Sequence, residues 1–327
     1  MKNYILFVLF WSLTCTAIDG QDVYRHETTF ENTSRYFTKL NHTNLNDHPE
    51  AIIFIMPNWN TNGAGVTGMD YDQNAGVWYD TRDSVWTIFN QDTTQDLKKG
   101  VTFNVLIAPP GDKHYFKVKA TQGSIAANGF PNGFVIDADA TNNKTNAFIL
   151  VTQNRDSVFN NNSPIVHYAN GNWRISNNGY LAYYNGLTTE TNSFMLKGAR
   201  FNVMVIEDHV VSGFANALAF KHIADIPNTY NLDPGHGTFL NNQYINGLTD
   251  RLIFAIPYWG HGAQDQTNDS SGGGPYNEGP IMVRYDHPDD QWNYREEKWS
   301  IFNTNYYPLP FCPSGAKFHI VAIKPQP

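Results

Sequence analysis

Residues 76–80 read Gly-Val-Trp-Tyr-Asp, residues 86–90 read Trp-Thr-Ile-Phe-Asn, and residues 100–105 read Gly-Val-Thr-Phe-Asn-Val. The same ordered blocks return twice. Val166-His-Tyr168, Trp173-Arg-Ile-Ser-Asn177 and Gly198-Ala-Arg-Phe-Asn-Val203 form the second set. Val283-Arg-Tyr285, Trp299-Ser-Ile-Phe-Asn303 and Gly315-Ala-Lys-Phe-His-Ile320 form the third. An apolar run precedes each set: residues 51–59 (AIIFIMPNW), 147–155 (AFILVTQNR) and 252–259 (LIFAIPYW). Order kept across three copies marks an internal repeat of roughly 90–110 residues.

Working outward, the blocks are β-branched, aromatic and partly alternating, and Gly, Asn, Asp and Pro punctuate them every 8–12 residues or so, which reads as short strands. In the first repeat strands are expected near 24–30, 36–40, 52–56, 76–79, 85–89 and 103–107. No stretch keeps a helical period, although 97–99 and 215–221 could hold a turn or two of helix. The expected fold is all-β: three tandem antiparallel β-sandwich modules at 22–112, 113–210 and 211–327, after a segment at 1–21. The period is too long for a solenoid, and three blades are too few for a propeller. Trp86, Trp173 and Trp299, with Phe103, Phe201 and Phe318, are expected in the cores. The glycine opening each last block is expected to need a positive φ or tight packing.

Segment 1–21 has Lys2, a short apolar run from Ile5 to Leu13 and small residues after it, the pattern of a secretory signal peptide. The expected localisation is therefore secreted or extracellular, with no membrane insertion, because no longer apolar run follows. A net charge of −8 argues against nucleic acid as a partner. Outside the leader Cys312 is the only cysteine, so no disulfide can form within the mature chain. Cys312 reads as a buried small hydrophobe, with intermolecular pairing as the alternative. Sequons occur at Asn32, Asn41, Asn143, Asn161 and Asn268. They are glycan acceptors if the host is eukaryotic and products of an Asn-rich composition if it is bacterial.

The pattern GVWYD, WTIFNQD and GVTFNV resembles an uncharacterised domain family of secreted proteins, often present in tandem copies. The likeness is close in the first repeat, fair in the third and weaker in the second, where Trp78 gives way to His167 and Asp80 to Ala169. It implies an extracellular β-domain and carries over no catalytic residue.

No catalytic motif is present: the sequence lacks HExxH, GxSxG, a P-loop, a strand-linked GxGxxG and CxxC. The carboxylates Asp208, Glu278, Glu296 and Glu297 are not tied into a pair. No cofactor is implied. For Ca²⁺, Asp70 with Asp72, Asp137 with Asp139, and Asp265 with Asp269 offer oxygen ligands without the spacing of a known calcium loop. The better indication is Pro-x-Trp at the end of two apolar runs, with Gly- and Asn-rich loops behind. An indole beside amides and carboxylates can stack a sugar ring and bond its hydroxyls. The expected ligand-binding residues are Trp59 with Asn58, Asn60, Asp70 and Asp72, and Trp259 with Tyr258, His261, Asp265 and Glu278. The alternative reading has both indoles capping the core. The second repeat has Arg155 at that position and lacks the feature. Three functions stay open: a non-catalytic binding or adhesion protein whose partner is a glycan, a structural component whose partners are copies of itself, or an enzyme with an unrecognised site.

Overall fold

The computed structural model describes residues 23–59, 68–129, 131–178, 194–225, 228, 237–259, 277, 279–286, 297–304 and 312–325. The expected signal peptide lies outside them. The first repeat forms β1 (Val23–Glu27), β2 (Thr33–Ser34), β3 (Phe37–Leu40), β4 (Ile53–Asn58), β5 (Ala75–Asp80), β6 (Val85–Asn90) and β7 (Thr102–Ile107). The second forms β8 (Tyr115–Lys119), α1 (Gln122–Asn128), β9 (Gly133–Val135), β10 (Phe148–Gln153), β11 (Pro164–Ala169), β12 (Asn172–Asn177) and β13 (Arg200–Ile206). The third forms β14 (Ala217–Ile223), β15 (Gly237–Phe239), β16 (Leu252–Tyr258), β17 (Ile281–Asp286), β18 (Lys298–Asn303) and β19 (Lys317–Ile323).

Among the described residues the fold is all-β apart from the seven-residue α1, which Thr121 opens through a capping box with Ser124 and Gly129 closes at φ 81°. Helix was expected elsewhere. The stretch from Ala217 is instead strand β14, because it has a full seven-residue antiparallel ladder with β19 available to it.

The repeats are not three sandwiches. Each contributes two half-sheets, and each half-sheet continues into a different repeat. Strands β1-β7-β4 of the first repeat join β17-β18-β15 of the third, and β14-β19-β16 of the third join β11-β12-β9 of the second. The remaining sheets, β10-β13-β8 and β2-β3-β6-β5, meet at a single parallel bridge between Val77 and Asn154. The other two junctions are also single parallel bridges, Asn58 with Val283 and Tyr258 with Val166. The ring thus closes first to third to second to first, a propeller-like arrangement that the count of three had seemed to exclude. Three units suffice because the shared unit is a half-sheet. In the sequence a strand shows its two faces, not the neighbour along its edge.

Each junction is made the same way. The amide after the apolar strand donates to the carbonyl of the Val in Val-x-Tyr of another repeat: Trp59 to Val283 at 2.9 Å, Arg155 to Val77 at 2.9 Å and Trp259 to Val166 at 2.8 Å. Central strands β4, β10 and β16 also pack on one another. Around them a second cycle runs through buried side chains. Asn104 Nδ2 donates to the Ile253 carbonyl and Asn202 Nδ2 to the Ile53 carbonyl, both at 2.8 Å. His319 Nδ1 lies 3.1 Å from the Ile149 amide and 3.2 Å from its carbonyl. Asn58 and Asn154 donate to Asn104 and Asn202 respectively, at 2.9 and 2.8 Å. The third repeat exchanges both members of that pair: Tyr258 stacks on His319 at 4.6 Å and 16°.

The repeated Trp residues occupy equivalent places. Trp86, Trp173 and Trp299 are fully buried, and their indole N–H groups donate to the carbonyls of His48, Lys144 and Leu248 at 2.8–2.9 Å. Each meets the Tyr opposite it on the neighbouring strand at 5.6 Å, the cross-strand aromatic pairing that stabilises sheets. Gly100, Gly198 and Gly315 all have φ between 84° and 98°, which L side chains adopt only under strain. The cores cross repeat boundaries: Met282 and Phe302 sit in the core of Trp86, and Phe54 and Met56 in that of Trp173 and Trp299.

A repeat on its own would leave two half-sheet edges open. An isolated 22–112 fragment is therefore expected to yield no folded monomer, and to fold only if copies close the ring as a trimer. Sedimentation with thermal melting checks this; a monomer that melts cooperatively would contradict it.

Candidate functional site at the repeat junctions

Beside each junction hydrogen bond two side chains from different repeats meet; His167 is buried and the other five are half-buried. One is the residue ending the apolar strand; the other is the middle residue of Val-x-Tyr. At the first–third junction the Arg284 guanidinium lies 4.4 Å from the Trp59 ring centroid. At the first–second junction the same pair appears with its ends exchanged: the Arg155 guanidinium lies 5.1 Å from the Trp78 ring centroid. At the second–third junction His167 meets Trp259 edge-on at 5.6 Å. Trp59, Trp78 and Trp259 are all half-buried. The second repeat therefore keeps an indole at its junction with the first, supplied by the partner strand. Sequence reasoning passed over Trp78, Arg155, His167 and Arg284 because the residues of each pair lie about 77 to 225 positions apart.

The electrostatics of the three pairs differ. Arg284 has Asp286 at 2.9 Å, with that carboxylate fully buried. Burial pushes the His167 imidazole down to about 3, aided by Arg174 nearby, so it is neutral at pH 7. Burial lowers the pKa of Arg155, opposed by the Tyr36 phenol, and its guanidinium also stacks on Phe159 at 3.9 Å.

The other expected ligand-binding residues are dispersed. Asn58 and Tyr258 are core residues, 0% and 5% exposed. Asn58 faces Asn104 and Tyr258 faces His319, so neither reaches a ligand on the adjacent indole. Their position next to Trp had suggested otherwise, but successive strand residues point to opposite faces. Asp70 and Asp72 are exposed on either side of buried Tyr71, whose hydroxyl donates to Asn90 Oδ1 at 2.8 Å. Asp72 also pairs with Lys98 at 3.6 Å. Asn60, His261, Asp265 and Glu278 lie outside the described residues.

Among the described residues no three of His, Cys, Asp and Glu gather as a metal site. Asp137 and Asp139 are exposed, Asp137 accepting from Asn142 Nδ2 at 3.0 Å; Asp265 and Asp269 lie outside. Cys312 is buried, and desolvation pushes its thiol up to about 12. Of the sequon residues, Asn41, Asn143 and Asn161 are exposed. Asn32 is a local staple, its Nδ2 donating to the Glu27 carbonyl and its Oδ1 accepting from the Thr29 amide. Asn268 lies outside. No helix of the described residues is long and apolar enough to cross a membrane. On the axis β4, β10 and β16 open into a concavity of about 90 Å³ floored by Ile55, Val151 and Ala255.

A family model described as a domain of unknown function (DUF7452) matches residues 12–107 and 76–186, together more than half of the chain. The chain belongs to that family. The two matches overlap over residues 76–107. No curated protein and no solved structure matches the chain.

Two measurements test this geometry. Trp78→Arg and Arg155→Trp should each destabilise the protein, and the double exchange should recover part of the loss, with a coupling of about 1 kcal/mol in a denaturant double-mutant cycle. The second concerns acid. Burial holds His319 near 3, and His26 and His222 near 4. These groups stay neutral in the fold and protonate in the unfolded chain below about 6.5. Between those values the unfolded state binds more protons, so stability is full above pH 6.5 and is lost as pH falls towards 4. Replacing the third repeat's pair by that of the others, Tyr258→Asn with His319→Asn, should reduce the drop in melting temperature between pH 7 and pH 4.5.

Proposed function

We propose that the chain is a secreted, non-catalytic binding protein that recognises glycans, with Trp59 and Trp259 as stacking platforms and the exposed Asp70 and Asp72 as polar groups for the first. The observation that supports this is an indole left half-exposed at each of three equivalent junctions, while the tryptophans of the repeat motif itself are fully buried. Each of these indoles stands against a side chain of another repeat, so the platforms are held by the ring and not by a loose loop. Such preorganisation lowers the entropic cost of binding. Stacking on one indole contributes about 1 kcal/mol beyond burial. Single sites should accordingly be weak, with dissociation constants roughly in the millimolar to high micromolar range. Several platforms on one ring gain by avidity on a polymer of matching spacing.

A second reading, a self-assembling component of an extracellular fibre or surface layer, has one observation in its favour. Strand β14 is the outer strand of its sheet and carries Ile223, 50% exposed, and an apolar edge strand is a template for pairing.

A glycan array is expected to show binding of neutral glycans by the wild type that Trp59→Ala/Trp259→Ala loses. Equal binding by both proteins would place the site elsewhere. No binding to any glycan, with light scattering that grows with concentration, would favour self-assembly.

A further inference from the structure

The three junctions share one geometry and differ in charge. Asp286 neutralises Arg284 at the first–third junction. His167 is neutral at the second–third junction; Arg174, opposite it on β12, is 6% exposed and donates to the Asn128 carbonyl at 2.8 Å. Arg155 has neither an acid partner nor the carbonyl acceptor that Arg174 has. Its guanidinium makes no hydrogen bond or ion pair with the described residues, and its Nε is buried without a partner. The nearby acids are already engaged: Asp156 with Arg200 at 2.7 Å and Asp80 with Arg82 at 3.2 Å. In a chain of net charge −8, a half-buried cation without a counter-charge is a feature that needs a partner.

The surroundings specify that partner. Trp78 and Phe159 stack on the guanidinium, at 5.1 and 3.9 Å. Stacking uses the faces of the planar group; with Nε buried, the two terminal Nη groups are left as the fork that matches a carboxylate. Next to it stand Phe37, edge-on to Trp78 at 6.1 Å, and Tyr36, edge-on to Phe37 at 5.6 Å, all half-buried. An anion fork beside aromatic faces suits a ring that carries an acid group.

We propose that the first–second junction is an acidic-sugar subsite, where Arg155 takes the carboxylate of a uronic acid while Trp78 and its aromatic neighbours face the sugar ring. The assignment rests on the glycan reading above and names the sugar class of one junction.

The test is a titration followed by NMR, with D-glucuronic acid, glucose and glucose 6-sulfate as probes. Wild type should bind glucuronic acid about tenfold more tightly than glucose, with the Trp78 indole N–H signal shifting. Arg155→Gln should bring glucuronic acid down to the level of glucose. Arg155→Lys keeps the charge without the planar fork and should recover only part of the difference; this comparison holds even if Arg155→Gln melts earlier. Trp59→Ala/Trp259→Ala should leave the glucuronic acid preference intact. A preference that survives Arg155→Gln, equal binding of glucuronic acid and glucose, or stronger binding of the sulfate ester would overturn the carboxylate assignment. In those cases neutral sugars that still bind, and bind less to Trp59→Ala/Trp259→Ala, leave the glycan reading standing. Binding of no sugar at all sinks both.

Discussion

The fold depends on one interaction made three times: a backbone amide at the end of a central strand donating to the carbonyl of a buried Val in a different repeat. Each bond alone stabilises by only about 1 kcal/mol. Its importance lies in position. It sits where one half-sheet becomes the next, with the acceptor Val fully buried, so leaving it unmade would strand a buried backbone carbonyl. The Asn104, Asn202 and His319 cycle acts likewise, tying a side chain of each repeat to the central strand of another. With both cycles closed, no repeat can leave without exposing the cores of its neighbours, and stability becomes a property of the ring.

Against that threefold frame the departures are informative because they come in pairs. Where Asn is replaced by Tyr on β16, Asn is replaced by His on β19, and an amide pair becomes a stacked ring pair. Where Trp and Arg exchange strands between two junctions, the cation–aromatic contact survives. In both cases the contact is retained while the residues change. The shared frame leaves each junction free to differ in the group set against its indole: a neutralised cation at one, a buried neutral imidazole at another and a bare guanidinium at the third. A ring of near-equal units thereby presents three chemically distinct surfaces from one backbone plan.

The strands of the first repeat, the buried Trp and Phe of the motifs and the positive-φ glycines were legible in the sequence, because each is a local consequence of residue type: alternation, ring size, a missing Cβ; β14, read as a turn or two of helix, was not. The existence of three equivalent units was legible for the same reason, since order within the chain is itself sequence information. The candidate site was only half legible. Trp59 and Trp259 could be picked out by their strand-end position, but Asn58 and Tyr258 were misassigned to the ligand because adjacency along a strand means opposite faces. Arg155 was read as a loss when it is the other half of a pair.

Which half-sheet joins which repeat was decided by tertiary structure alone. A strand's composition records what its two faces pack against, while its edge bonds only through N–H and C=O groups that every residue carries alike. The amino-acid sequence therefore determined the strands, their faces and their threefold recurrence. The closing of the ring, and with it the meeting of indole and guanidinium across the junctions, was determined only when backbone edges of distant repeats found one another.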